Sequence, residues 1–271
     1  MKELSEKILS YNQRGLIQGP DESIEAYSLR CQKALKREPH LDSQLAFKLF
    51  DIRPDWVEVD YSNASLYPWE GGCTWIKNHQ YLLQLRKVFQ KKSFYLGYSR
   101  EEIFAHELVH IIRGGFKEPI FEEILAYQTS RSRFRRFFGP FFRSSRESLF
   151  FVTSLWLTGL IALLTPYEYI IYINIFSLLS YGMIRLFKAQ FFFSKACKNI
   201  GEIVGKEKAL AVMVRLKDEE IIQFAKLKKQ AILSYAMKMQ FNQTRWQQIY
   251  SVYFPSHVTI SKKSDGDFSI K

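Results

Sequence analysis

Cysteine is scarce in this chain: Cys31, Cys73 and Cys197 stand far apart and form no C-x-x-C pair. That spacing argues against a thiolate zinc cluster and against a disulfide-stapled secreted domain, and predicts buried thiols in a reducing compartment. The amino end, Met1-Lys2-Glu3-Leu4-Ser5-Glu6-Lys7, lacks the apolar stretch of a signal peptide and is expected to stay in the cytoplasm. Internal repeats and low-complexity tracts are absent too. Acid is in deficit, with 27 Asp and Glu against 39 Lys and Arg, for a net charge of +12. Such an excess suits nucleic acid or an anionic membrane surface, and the position of the charge chooses between them.

Arg131, Arg133, Arg135, Arg136, Arg143 and Arg146 precede a dense apolar block, and Arg185, Lys188, Lys195 and Lys198 follow it. The block holds two uncharged runs, Leu149–Thr165 and Tyr169–Ile184, separated by Pro166-Tyr167-Glu168. Each run is at the short end of what spans a bilayer. Basic flanks on both outer sides and a short loop without Lys or Arg predict a hairpin with both termini cytoplasmic. Asn174, inside the second run, is expected to face the partner helix. The lipid bilayer is therefore the expected partner, and nucleic acid is not.

Ahead of the block, Gly19-Pro20-Asp21 divides two helical stretches, with Asp21 and Glu25 placed to start the second. Leu41–Phe50 is a short amphipathic stretch. Trp56–Tyr61, a stretch after Glu70-Gly71-Gly72, Tyr81–Phe89 and Ser93–Gly97 read as short strands of a small sheet. Ser99 and Glu102 form a capping box that opens a helix running to about Arg113, where Gly114-Gly115 stops it. Pro119 is placed for the first turn of the next helix, expected to run through the Arg-rich stretch to Gly139-Pro140. After about Lys195 the pattern is amphipathic and helical, clearest at Ala209–Val214, Ile221–Ala225 and Thr244–Tyr250, before a loose polar tail from Ser261.

The first of these capped helices carries His106-Glu107-Leu108-Val109-His110. Side chains at i and i+4 share one helical face, so both imidazoles can reach one ion. Zinc accepts His nitrogen at about 2.0–2.1 Å, and Glu107, one residue round, can take a proton from water beside the metal without ligating it. Ile103, Phe104, Leu108, Val109, Ile111 and Ile112 make the helix apolar on almost every side, so it is expected to be buried. Two His and a Glu buried there without a partner would be costly. Two His need a third ligand, and Glu122 and Glu123 lie where an antiparallel return would bring them back. Ala126, one turn on, would let the helices approach closely.

His106-Glu107-x-x-His110 followed by Glu123-Ile124-Leu125-Ala126 resembles the gluzincin branch of the zinc metallopeptidases, over roughly Tyr95 to Tyr127. The resemblance implies Zn2+ held by His106, His110 and Glu123, with Glu122 the alternative third ligand, and Glu107 as general base. The interval from His110 to Glu123 is short for that branch, and no Asp follows Ala126. The metzincin pattern does not apply, because Phe116 stands where its third His would be.

The resemblance further implies an edge strand before the His helix for an extended substrate, with Phe94-Tyr95-Leu96 the candidate. An electrophilic helper is expected from Tyr127, Arg113 or His257, whereas His40 and His79 have no partner pattern. The expected fold is α+β: a zincin-like domain over 1–140, mostly helical with a small sheet, a transmembrane helical hairpin over 141–190, and a helical C-terminal region over 191–271. The hairpin's two spans are expected at about 149–165 and 169–185. The expected function is a membrane-anchored zinc peptidase acting on protein or peptide near the membrane surface. The alternatives are an inactive zinc-binding membrane protein with a structural or binding role, and a membrane scaffold without metal.

Overall fold

The computed structural model describes residues 2–35, 43–77, 80–167 and 169–254. His40, His79, His257 and the tail from Ser261 lie outside the described residues. The chain is mostly helical with a small sheet.

Three helices come first: α1 (Lys2–Gln13), α2 (Ile24–Leu35) and α3 (Gln44–Phe50). Gly19-Pro20-Asp21 lies in the break between α1 and α2, which opens at Gly15, whose φ of +74° favours glycine. Ser23, not Asp21, caps α2, its hydroxyl accepting from Ala26 N at 3.2 Å.

The sheet contains β1 (Glu58–Tyr61), β2 (Gly72–Lys77) and β3 (Gln80–Leu85) in the order β1-β3-β2. β1 runs parallel to β3, and β2 runs antiparallel to it with Thr74 opposite Leu83. The strand expected over Tyr81–Phe89 ends at Leu85, and Val88–Lys91 forms the single helical turn α4. Tyr81, Leu83 and Leu85 are buried on one face, as the period of two requires. Phe94–Tyr95 (β4) and Tyr98–Ser99 (β5) make a separate two-strand hairpin.

The capping box forms as expected, opening α5 (Arg100–Arg113): Ser99 Oγ accepts from Glu102 N at 3.1 Å, and Glu102 Oε2 from Ser99 N at 3.0 Å. α6 is shorter than expected, spanning only Glu122–Tyr127. Just ahead of it, Asp218 Oδ2 accepts from the Ile120 amide at 2.7 Å. Its end comes early because the Arg131 amide turns back to Glu102 Oε1 at 2.6 Å. Ser132 then caps α7 (Arg133–Phe138), followed by a 3-10 turn at Gly139–Phe141.

α8 (Ser145–Leu164) and α9 (Tyr169–Val204) are long and apolar enough to cross a membrane. α8 and the first half of α9 pack against each other, with Trp156 and Phe176 each 74% exposed, whereas the second half of α9 is buried against the C-terminal helices through Phe193, Ala196 and Ile200. Asn174 faces its partner helix, donating to Ser154 Oγ at 3.0 Å and Thr158 Oγ1 at 2.9 Å. At the foot of the pair Arg185 grips Glu147 through two bonds of 2.7 Å. α9 runs unbroken through residue 190 and on to Val204.

The last four helices are α10 (Ala209–Met213), α11 (Asp218–Lys226), α12 (Lys229–Met239) and α13 (Thr244–Tyr253). They share one buried core with the first half of the chain, Trp246, Phe224 and Val212 joining Phe104, Leu108 and Phe50. Buried Arg215 fastens the two halves, donating to Asn12 Oδ1 at 2.7 Å and Phe50 O at 2.9 Å.

Candidate metal centre

α5 places His106 and His110 on one face, and the chain returns through residues 114–121 to lay α6 across them. The two Nε2 atoms stand 3.4 Å apart. The Glu123 carboxylate closes the triangle, Oε2 lying 3.6 Å from His106 Nε2 and Oε1 3.6 Å from His110 Nε2. These three residues form the metal-competent group among the described residues, with ligand atoms within 4.8 Å of one another. The edge of a tetrahedron whose bonds are about 2.0–2.1 Å is about 3.3–3.4 Å, so the three donors stand near the spacing that a single four-coordinate metal ion would need.

Glu122 does something different: its Oε1 lies 2.7 Å from His110 Nδ1, the nitrogen turned away from the triangle. His106 is held in the same manner, by a hydrogen bond to the backbone carbonyl of Ala126. Fully buried Ala126 thus supplies both the close approach its size allows and an acceptor. Metal-ligating imidazoles characteristically carry such outer partners, which fix the tautomer and the ring angle.

Glu107 faces a different element. Thr74 Oγ1 on β2 donates to Glu107 Oε2 at 3.0 Å, alongside the Glu107 carbonyl at 3.1 Å. The strand can come this close because of Gly72, where an added Cβ would lie 3.0 Å from Ile103 and 3.2 Å from Glu107 Cγ.

Charge is strained in this group. Burial, reinforced by the charge on His110, drives His106 down to about 3. Burial also disfavours charge on His110, but Glu123 and Glu122 outweigh it and raise its pKa. Glu107 and Glu123 are both pushed up by burial. Three carboxylates and two imidazoles in so little space could hold a cation where the two ring nitrogens face each other.

A cleft of about 570 Å³ opens onto the triangle. The side chains of His106, His110 and Glu123 are 18%, 19% and 20% exposed, enough for solvent to reach them from the cleft. One wall is β2, whose outer edge pairs with no strand among the described residues. The opposite wall is the foot of the apolar hairpin, Phe142, Ser144, Ser145 and Ser148. Phe94, Tyr95 and Leu96, expected to provide the substrate edge, do not line the cleft; Gly72, Cys73, Thr74 and Ile76 of β2 do.

Tyr127 lines the cleft, its ring edge-on to His106 with centroids 4.8 Å apart. Burial raises its pKa, so the hydroxyl keeps its proton. Arg113 also borders the cleft, but it is wholly buried and donates to Leu216 O at 2.8 Å and Asp218 Oδ1 at 3.2 Å. Sequence reasoning did not find Thr74, Asp218 or the Ala126 carbonyl, whose contacts are set by tertiary packing.

No family model, curated protein or solved structure matches this chain.

Proposed function

We propose that this protein is a membrane-anchored zinc metallopeptidase of the gluzincin type. The convergence of His106 Nε2, His110 Nε2 and the Glu123 carboxylate on one point carries the reading. Those three residues would hold Zn2+, and Glu122 with the Ala126 carbonyl would orient the imidazoles. Three converging donors are one fewer than a closed structural site uses, which favours catalysis over the inactive alternative. When bound, zinc supplies a Lewis acid that makes water acidic near neutral pH and polarises a carbonyl.

The chain's own residues supply the rest. Glu107 accepts the proton from the attacking water and delivers it to the departing amine. Thr74 keeps the carboxylate turned toward the cleft. The free edge of β2 can take an extended peptide as an added strand and draw its backbone past Glu107. Tyr127, protonated and facing the cleft, is the described residue best placed to donate to the developing oxyanion.

The hairpin of α8 and α9 would cross the bilayer, with both termini and the catalytic domain on the cytoplasmic side by the distribution of Lys and Arg. Its foot forms a wall of the cleft, so protein or peptide substrates would be met at the membrane surface.

The test is zinc content and peptidase activity of detergent-purified full-length protein. About one zinc per chain, with hydrolysis slowed about 10²–10⁴-fold in Glu107→Gln while zinc stays bound, is expected. Wild-type protein that takes up no zinc on reconstitution would refute the reading.

A further inference from the structure

A second and larger groove, of about 1370 Å³, is lined by α7 and by the part of α9 from Phe187 to Glu202. Arg133, Arg136, Lys195, Lys198 and Lys206 line it against a single acid, Glu202. Among the described residues none of these five cations is in an ion pair, although Lys195 stands 5.7 Å over the Phe191 ring. Its floor is aromatic, and Phe187 and Phe191 are 50% and 60% exposed. Unpaired cations over exposed aromatic carbon suit a ligand that is anionic at one end and apolar at the other.

Position says which. The hydrocarbon core of a bilayer takes about 20 helical residues, which from Tyr169 ends near Lys188. Phe187 then lies at the edge of the hydrocarbon, and Phe191 about one turn beyond, at the depth of the headgroups. Gln190 donates to the carbonyls of Arg136 at 3.2 Å and Phe137 at 2.9 Å, which holds α7 and its arginines at that same depth.

We infer that this groove binds one anionic phospholipid, its phosphate among Arg133, Arg136 and Lys195 and an acyl chain along Phe187 and Phe191. The inference rests on the hairpin crossing the bilayer as proposed above. A bound lipid would touch α7, which packs against α6 and so stands between the lipid and Glu123.

The experiment is native mass spectrometry of the full-length protein in detergent, titrated with phosphatidylglycerol or phosphatidylcholine. Retention of one phosphatidylglycerol in preference to phosphatidylcholine is expected. At about fivefold per cation, the triple change Arg133→Gln, Arg136→Gln, Lys195→Gln should weaken it by roughly a hundredfold. Neutralising the exposed Lys228, Lys229 and Lys238 by Gln, as a control of equal charge, should leave it unchanged. Equal retention of the two lipids, or equal loss in both triple variants, overturns the site. Displacement of the lipid by an equal concentration of a poly-glutamate peptide would instead assign the groove to an acidic polypeptide. Alkaline carbonate extraction of membranes separates the two ideas. A chain that resists extraction but shows no lipid preference sinks the groove alone, whereas a released chain sinks the hairpin and the groove's placement with it.

Discussion

Glu122 holds His110 by the nitrogen that faces away from the metal centre, Oε1 to Nδ1 at 2.7 Å. That contact commits His110 Nε2 to the side where Glu123 stands and gives two adjacent acids on one helical turn different tasks. Glu123→Ala should therefore abolish stoichiometric zinc. Glu122→Ala should keep one zinc per chain, with affinity lowered about 10–100-fold. Zinc retained through dialysis against graded chelator measures both, and the opposite pattern would exchange the two assignments.

Glu107 touches the cleft and is bonded to Thr74 rather than to either imidazole. Glu107→Gln should lower kcat by about 10²–10⁴-fold with zinc content unchanged. Thr74→Val leaves the carboxylate in place without its hydroxyl donor, and a loss of about tenfold in kcat is expected. Steady-state peptide cleavage by zinc-loaded variants reads both. A Thr74→Val enzyme as slow as Glu107→Gln would mean that the strand contact does more than orient the base.

Gly139 closes the cleft beside Tyr127: a Cβ there would lie 2.3 Å from the phenol ring. Gly139→Ala must push the ring away from its edge-on contact with His106. A fall in kcat with KM little changed is expected if the hydroxyl acts in the transition state. Tyr127→Phe should reproduce the fall without the steric change, and a Phe variant of full activity would remove Tyr127 from the mechanism.

The parts of this site that were legible in the sequence are those set by local geometry. The i, i+4 spacing of His106 and His110 and the i, i+3 capping box of Ser99 and Glu102 depend only on forming a helix. The hairpin was legible because two long uncharged runs need no tertiary information. The choice between Glu122 and Glu123 was not, because it depends on the angle at which α6 returns. That angle is set partly by Asp218, a hundred residues away, whose carboxylate takes the Ile120 amide and the Arg113 guanidinium. Thr74 was hidden for the same reason, since only the register of β2 against β3 turns its hydroxyl toward α5. The extension of α9 beyond Arg185 was obscured by mixed Phe and Lys, which a helix at a membrane surface accommodates as readily as a loop does.

Asp218 thus joins the C-terminal helices to the segment that leads into α6, the helix of Glu123. Its removal leaves Arg113, which has no exposed surface, without its nearest acid. Asp218→Ala should cost about 3–5 kcal/mol of stability, the usual consequence of stranding a buried charge. Zinc should be lost at lower chelator concentration as the return of α6 loosens. Thermal unfolding in detergent with and without zinc separates the two effects. A variant with unaltered Tm would show that Glu118, 3.8 Å from Arg113, suffices alone.

Glu220 is the acid whose protonation should unlock the C-terminal core. Burial opposes its ionisation, but Arg245 grips both oxygens at 2.7 and 2.8 Å, Trp246 Nε1 donates at 2.7 Å, and the Lys217 amide adds a fourth bond. These donors win and hold its pKa below the usual 4.5. A carboxylate depressed in the folded state binds protons more readily once unfolded, so stability falls as the pH falls. The contribution is complete above the unfolded value and is lost as the pH drops from there through the folded one. Glu220→Gln should lose about 3–5 kcal/mol near neutral pH, because Arg245 is left buried without its charge partner. The variant should also lack this acid-dependent loss, so the gap in Tm between wild type and variant should narrow over the acid range that begins near the usual 4.5. Taking the difference removes the protonation of the metal centre, which both proteins share. A gap that stays constant across that range would mean that Glu220 is already protonated in the fold, and that Arg245 is held by neutral acceptors alone.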